Sequence, residues 1–242
     1  MEYFVYFIAT FLLSTIFSIA GLGSAVALVP SFNMLGLTFD VARAGGLFVN
    51  FTTTVTTSFL NFKKKLFDMD FVLPLIVSSV LLAFIGSQIS LLIDTEIVKT
   101  IFGYALLIIA SMILFFKKPT KDGDNHNKLI LVFAGSIGGF FSGFLGIGGG
   151  SIIAPILLLF GYDAKKIALG ITFVIPFSSI VAFSSYASVV ELDYLFLFII
   201  AIGAYLGGML GNYILHFKVS SSSIKKILAV TLYIIAIKMI LY

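Results

Sequence analysis

The residues with the greatest chemical potential in this chain are backbone amides. Gly21-Leu22-Gly23-Ser24-Ala25-Val26-Ala27-Leu28-Val29-Pro30 recurs 125 positions later as Gly146-Ile147-Gly148-Gly149-Gly150-Ser151-Ile152-Ile153-Ala154-Pro155, each copy inside an apolar stretch. Glycine unwinds cheaply and lets a ligand approach the backbone. A helix that starts just after such a break points free N–H groups and the positive end of its dipole at whatever sits there, which suits an anion. The candidate binding set is therefore Gly21, Gly23, Ser24 and Ala25 from the first copy and Gly146, Gly148, Gly149, Gly150 and Ser151 from the second. The helices that follow add neutral donors: a stripe of Asn50, Thr53, Thr54, Thr57 and Asn61 in the first half, and Thr172, Ser178, Ser179 and Ser185 beside Pro176 in the second. Asn50, Thr53 and Thr172 lie nearest the breaks in the aligned register and complete the set; the other hydroxyls read equally well as bonds to their own helix or between helices.

The elements that position these groups must lie in a bilayer. Hydrophobic residues make up 60% of the chain and charged residues 11%, with a mean hydropathy of +1.16, against roughly 25% charged residues in soluble domains. Apolar runs at about Tyr3 to Leu35, Val41 to Phe62, Phe71 to Ile93, Ile97 to Phe116, Leu129 to Gly161, Ile167 to Val190, Tyr194 to Phe217 and Ile224 to Tyr242 meet the requirement of roughly 20 residues per span. The expected fold is an all-α integral membrane protein with two homologous halves of about four hydrophobic segments each. A first repeat over 1–116 is joined by a polar linker over 117–128 to a second over 129–242, and the first segment of each half is broken at its glycine motif. Hydrocarbon tolerates such a break only where protein or a water-filled cavity satisfies the freed backbone, and paired breaks are how many carriers build a substrate site. The helical runs after the breaks, Ser24 to Leu35 and Gly149 to Phe160, are too short to cross about 30 Å alone.

Lysine and arginine positions choose between two topologies. If every segment crosses once, the two sides carry eight and seven basic residues. If each broken segment returns to the side it came from, Lys63, Lys64, Lys65, Lys117, Lys118, Lys121, Lys128, Lys165, Lys166, Lys218, Lys225 and Lys226 share one side, twelve against three. The positive-inside rule selects the second arrangement, with both termini outside, the linker cytoplasmic, and the halves inverted relative to each other. The count leaves open whether each broken segment is a re-entrant hairpin or a span plus a partial span. Stripes of small residues, Ser79/Ala83/Ser87, Gly203/Gly207/Gly211 and Gly135/Gly139/Gly143, read as helix-packing faces.

Other chemistry finds no support. The chain has no cysteine and two histidines, His126 and His216, which make no metal set. No nucleophile and base pair is evident, since Ser142 has no histidine at depth to activate it. No Asp or Glu falls in the middle of a hydrophobic segment, so no proton relay is supplied. Arg43, the only arginine, could attract an anion at the outer mouth or snorkel at the interface. No cofactor, metal or nucleic-acid partner is expected; the partners are a small anionic substrate and the lipid bilayer, and a homo-oligomer is compatible with this reading.

The glycine tract Gly146 to Pro155, followed by Leu157-Leu158-Leu159-Phe160-Gly161 and Ala168-Leu169-Gly170-Ile171-Thr172, with its weaker copy in the first half, resembles the sulfite exporter TauE/SafE family of bacterial and archaeal membrane proteins. The resemblance covers nearly the whole chain. It implies a cell-membrane carrier that exports a small sulfur-containing oxyanion such as sulfite, sulfoacetate or another organosulfonate. The bottom-up expectation is binding at midplane between the two half-helix tips with alternating access; an anion channel, or a non-transporting subunit or intramembrane enzyme, are the alternatives. The first copy departs from the glycine-rich pattern, with Ser24-Ala25 in place of Gly149-Gly150.

Overall fold

The structure, a computed structural model, describes residues 1–20, 23–63, 68–115, 127–215 and 221–241. Gly21 and most of the expected linker lie outside these. Ten helices and no strand occur among the described residues: α1 (Glu2–Ala20), α2 (Ala25–Met34), α3 (Phe39–Lys63), α4 (Met69–Leu91), α5 (Thr95–Phe115), α6 (Lys128–Leu145), α7 (Gly150–Leu159), α8 (Ala164–Ala187), α9 (Tyr194–Leu215) and α10 (Ser221–Leu241). Six of them, α1, α4, α5, α6, α8 and α9, contain windows long and apolar enough to span a membrane. The two broken segments each divide in two, which turns the eight expected segments into ten helices. At ten residues, α2 and α7 are about 15 Å long, half of a hydrocarbon core. Both stop in the same way: Gly36 (φ +99°) and Gly161 (φ +81°) adopt the left-handed region, and Leu37 N–H and Tyr162 N–H donate back to Phe32 and Leu157 carbonyls, a Schellman ending.

Small residues fix the closest helix contacts. Helices α4 and α6 run parallel, from the Lys128–Asp70 ion pair (3.1 Å) through Gly135 on Leu75 and Ser78 to Gly139 on Ser79 and Gly143 on Ala83. Helices α1 and α9 repeat this, from Tyr3 donating to Asp193 (2.5 Å) through Gly203 on Thr10 to Gly207 on Ser14 and Gly211 on Ser18. In both interfaces a glycine is needed because a β-carbon would press into the facing backbone or side chain, as expected for small-residue packing in lipid. Between these pairs, α3 and α8 cross antiparallel, with Arg43 beside Tyr186, Phe48 on Phe183, Asn50 on Ser179 and Ser58 on Thr172. Helices α5 and α10 also pair, Gly103 against Ile240 and Ser111 with Tyr233. Exchanging α1–α5 for α6–α10 carries the α4/α6 pair onto α9/α1 and leaves the α3/α8 and α5/α10 pairs in place.

Each broken segment starts and finishes at one end of the molecule. Tyr6 near the start of α1 packs edge-on against Phe32 at the end of α2, while Tyr162 after α7 donates to the Asn127 carbonyl before α6 (2.8 Å). The return begins at half depth: Ser24 meets Ser14 in the middle of α1, and Gly149 sits on the Gly138 carbonyl in the middle of α6. A span-length helix followed by a half-length return is therefore the geometry of both segments. Lys128 and Lys166, which bind Asp70 and Asp68 respectively, share one end; the topology in which every segment crosses once would have separated them.

Candidate functional site

Both half-helices begin at glycines that no other residue replaces easily. Gly23 (φ +80°), Gly146 (φ +75°) and Gly148 (φ +72°) are left-handed, a conformation costing an L-residue roughly 1–2 kcal/mol. Ser24 and Gly149 are the N-caps of α2 and α7, and neither supplies a side-chain hydrogen bond. Contrast α4, α6 and α8, whose first turns are capped by the side chains of Asp68, Asn127 and Asp163. The first intrahelical bonds come from Ala27 N–H to Ser24 and Ile152 N–H to Gly149, so the amides of Ala25, Val26, Gly150 and Ser151 lie ahead of them at the positive end of each dipole.

The two tips meet at one side chain. Asn50, in the middle of α3 and fully buried, lies so that a β-carbon on Gly23 would overlap its Oδ1 and one on Gly148 would overlap its Nδ2. Asn50 Nδ2 donates to Ser179 Oγ on α8 (3.1 Å). Its Oδ1 is buried with no hydrogen-bond partner, and so is Ser151 Oγ in the first turn of α7. Buried polar atoms are nearly always satisfied; of the five buried side-chain atoms without a partner among the described residues, these two lie beside the uncapped helix ends. Ser24 Oγ, also buried, accepts from Ser14 Oγ (3.2 Å).

Not every expected residue joins this cluster. A β-carbon on Gly149 would meet the Gly138 carbonyl, one on Gly150 the Ile171 and Ile175 side chains, and one on Gly146 the Arg43 stem, so the Cα faces of these three glycines are taken up by packing while the Gly150 amide stays at the start of α7. Ala25 is buried against Gly46. Thr53 faces α9, its methyl on Gly208 and its hydroxyl toward the Ala204 carbonyl (3.5 Å). Thr172 bonds Leu169 of its own helix and receives Ser58, eight residues beyond Asn50 along α3 or about 12 Å away. Thr54, Thr57, Ser178 and Ser185 likewise bond carbonyls one turn back. Gly21 lies outside the described residues. Ser179, named in the second-half stripe but not in the binding set, meets Asn50, and Ser14, which carried no sequence signal, meets Ser24; only the antiparallel register of α3 against α8 brings the first to the tips.

Arg43 is neither an exposed anion trap nor a snorkelling cation. Its side chain is 1% exposed. It pairs with Asp40 one turn back, donates to Ser90, Tyr186 (3.0 Å) and the Phe144 carbonyl (3.3 Å), and lies over the Phe39 and Tyr186 rings. Tyr186 in turn donates to the Gly143 carbonyl (2.6 Å). Together they cap the carbonyl end of α6 and hold the Gly146 turn from beneath, a favourable place for a cation. At the end shared by Lys128 and Lys166, Asp68, Asp70, Phe71, Leu131 and Tyr162 complete a cleft of about 240 Å³. The Lys166 hydrogen bond holds the Asp68 carboxyl below its usual range, while burial pushes the Tyr162 phenol up. Among the described residues, no group of His, Cys, Asp and Glu could hold a metal ion.

The family model described as "Sulfite exporter TauE/SafE" matches residues 6–239. A probable membrane transporter protein of Methanocaldococcus jannaschii is 32% identical over 189 residues, covering 74% of this chain and 70% of its own. The probable membrane transporter protein YunE of Bacillus subtilis is 24% identical across 99% of this chain and 98% of its own. The chain thus belongs to the sulfite exporter TauE/SafE family of membrane transporters.

Proposed function

We propose that this protein is a secondary carrier of a small sulfur-containing oxyanion, sulfite or an organosulfonate, bound between the α2 and α7 tips at Asn50. The observation that carries the reading is the meeting of two uncapped helix ends at one buried carboxamide with an unpartnered oxygen. Amides at the first turns of α2 and α7, the Ser24 and Ser151 hydroxyls and the Asn50 amide replace the anion's hydration without a competing cation. The segments over 1–116 and 129–242 act as inverted repeats whose exchange axis passes through the α3/α8 crossing, and transport rocks one against the other so that the tips face each side in turn. The lysine-rich end, carrying the 117–128 linker, is cytoplasmic, and both termini are outside. An inside-negative potential then drives an anion outward with roughly 2.3 kcal/mol per charge per 100 mV, so export needs no coupling ion.

Purified protein in liposomes tests this with sulfite flux. Saturable, voltage-dependent flux that is lost in Gly148→Leu, while the variant still inserts and elutes as folded protein, supports the carrier. Undetectable flux across a panel of sulfur oxyanions, or unchanged flux in Gly148→Leu, contradicts it.

A further inference from the structure

The site between the tips has a charge and a hydrogen-bonding pattern that together narrow its ligand; this inference rests on the oxyanion reading above. Each helix N-terminus carries roughly half a positive elementary charge, so two of them balance about one negative charge. Little else adjusts that sum. Arg43 is the only charged side chain among the described buried residues, and its charge is already met by Asp40 and the α6 carbonyl end. Every other polar group at the tips, Ser14, Ser24, Asn50, Ser151 and Ser179, is neutral. A dianion would leave a second charge buried without a partner, which is costly.

The second observation concerns donors and acceptors. Backbone amides and the Ser151 hydroxyl offer hydrogens, as any anion requires. Asn50 adds something else: its Nδ2 gives one hydrogen to Ser179 and keeps a second, while its Oδ1 is a buried acceptor with no partner. A fully deprotonated oxyanion would face that oxygen with lone pairs alone. An oxyanion that keeps one O–H supplies the missing donor.

We propose that the site selects a singly charged oxyanion still protonated on oxygen, the Asn50 carbonyl oxygen accepting its hydrogen bond while the two helix ends balance its charge. Asn50 thereby becomes a specificity residue within the site. Its position in the repeat is unmatched, because Ile175 stands at the corresponding place in the second half, so the acceptor is single, as one proton requires.

Binding to the purified full-length protein near neutral pH tests this with three probes: hydrogen selenite (one charge, one O–H), methanesulfonate (one charge, no donor) and sulfate (two charges). Hydrogen selenite is expected to bind at least about tenfold more tightly than methanesulfonate, a difference of about 1.4 kcal/mol, and sulfate more weakly than either. Asn50→Leu should close the gap between the two monoanions. Equal or tighter binding of sulfate, or a gap that survives Asn50→Leu, with all binding still abolished by Gly148→Leu, overturns this inference and leaves the oxyanion site standing. Absence of binding by all three probes, or binding indifferent to Gly148→Leu, overturns both. Should Asn50→Leu not fold, the order of the three probes on the wild-type protein decides alone.

Discussion

Four left-handed glycines allow the convergence on Asn50 to be weighed against backbone strain. Gly36 and Gly161 have positive φ and nothing within 4 Å of a would-be β-carbon, whereas Gly23 and Gly148 have positive φ and the Asn50 carboxamide in the way. Alanine at Gly36 or Gly161 therefore adds only conformational strain, roughly 1–2 kcal/mol. Alanine at Gly148 adds the same strain and must also push Asn50 aside. That breaks the Nδ2–Ser179 hydrogen bond, worth about 1 kcal/mol net, and drives a packed side chain off its rotamer for about another 1 kcal/mol. Gly148→Ala should thus destabilise the protein by about 2 kcal/mol more than Gly161→Ala, and Gly23→Ala should exceed Gly36→Ala in the same way. Thermal unfolding of the four variants in one detergent, read as differences within each pair, measures this directly. If Gly148→Ala and Gly161→Ala unfold at the same temperature, Asn50 is not wedged between the tips and the site as built here is wrong.

Further expectations rest on separate contacts. Arg43→Met leaves Asp40 unpaired and uncaps the α6 carbonyls; because Asp40 is partly exposed, the loss should be about 3 kcal/mol or less, visible as a lower unfolding temperature, and a neutral outcome would remove Arg43 from the support of the Gly146 turn. Asp68, with its pKa lowered by Lys166, contributes stability that is complete above the ordinary carboxyl range near pH 4 and is lost as pH falls through the lowered value. Asp68→Asn should therefore be less stable than wild type at neutral pH and converge with it in acid; curves that stay parallel down to the acid limit would show the pair contributes nothing. Since the chain has no native cysteine, single substitutions Glu2→Cys and Lys121→Cys report sidedness cleanly. A membrane-impermeant thiol reagent applied to intact cells should label the first and not the second, and the opposite pattern would reverse the proposed orientation.

Much of the architecture was legible because lipid punishes unsatisfied backbone. Consecutive glycines inside apolar sequence can mean little except a break, and the observed starts of α2 and α7, Ala25 and Gly150, fall one residue from the expected ones. Small-residue spacing likewise announced the α4/α6 and α1/α9 interfaces, although not which helix would face which. The site was only half legible. Aligned register placed Thr172 beside the breaks, yet in an antiparallel α3/α8 crossing the residue opposite Asn50 is Ser179. Residues at matched register lie on opposite sides of the crossing point, so alignment alone misplaces them. Arg43 misled for another reason. Lone arginines near helix ends usually reach for water, and its Asp40 partner was visible one turn away. The ring of Tyr186, the Ser90 hydroxyl and the carbonyl end of α6 that bury it come from residues 47 to 143 positions distant.

The central claim is that one negatively charged guest sits between two helix ends at Asn50, and selenium makes it visible. Crystals soaked with hydrogen selenite and measured at the selenium edge should give an anomalous peak within hydrogen-bonding reach of the first-turn amides of α2 and α7 and of the Asn50 side chain. A peak confined to the Lys128 and Lys166 cleft, or none at the tips under saturating hydrogen selenite, would contradict the account.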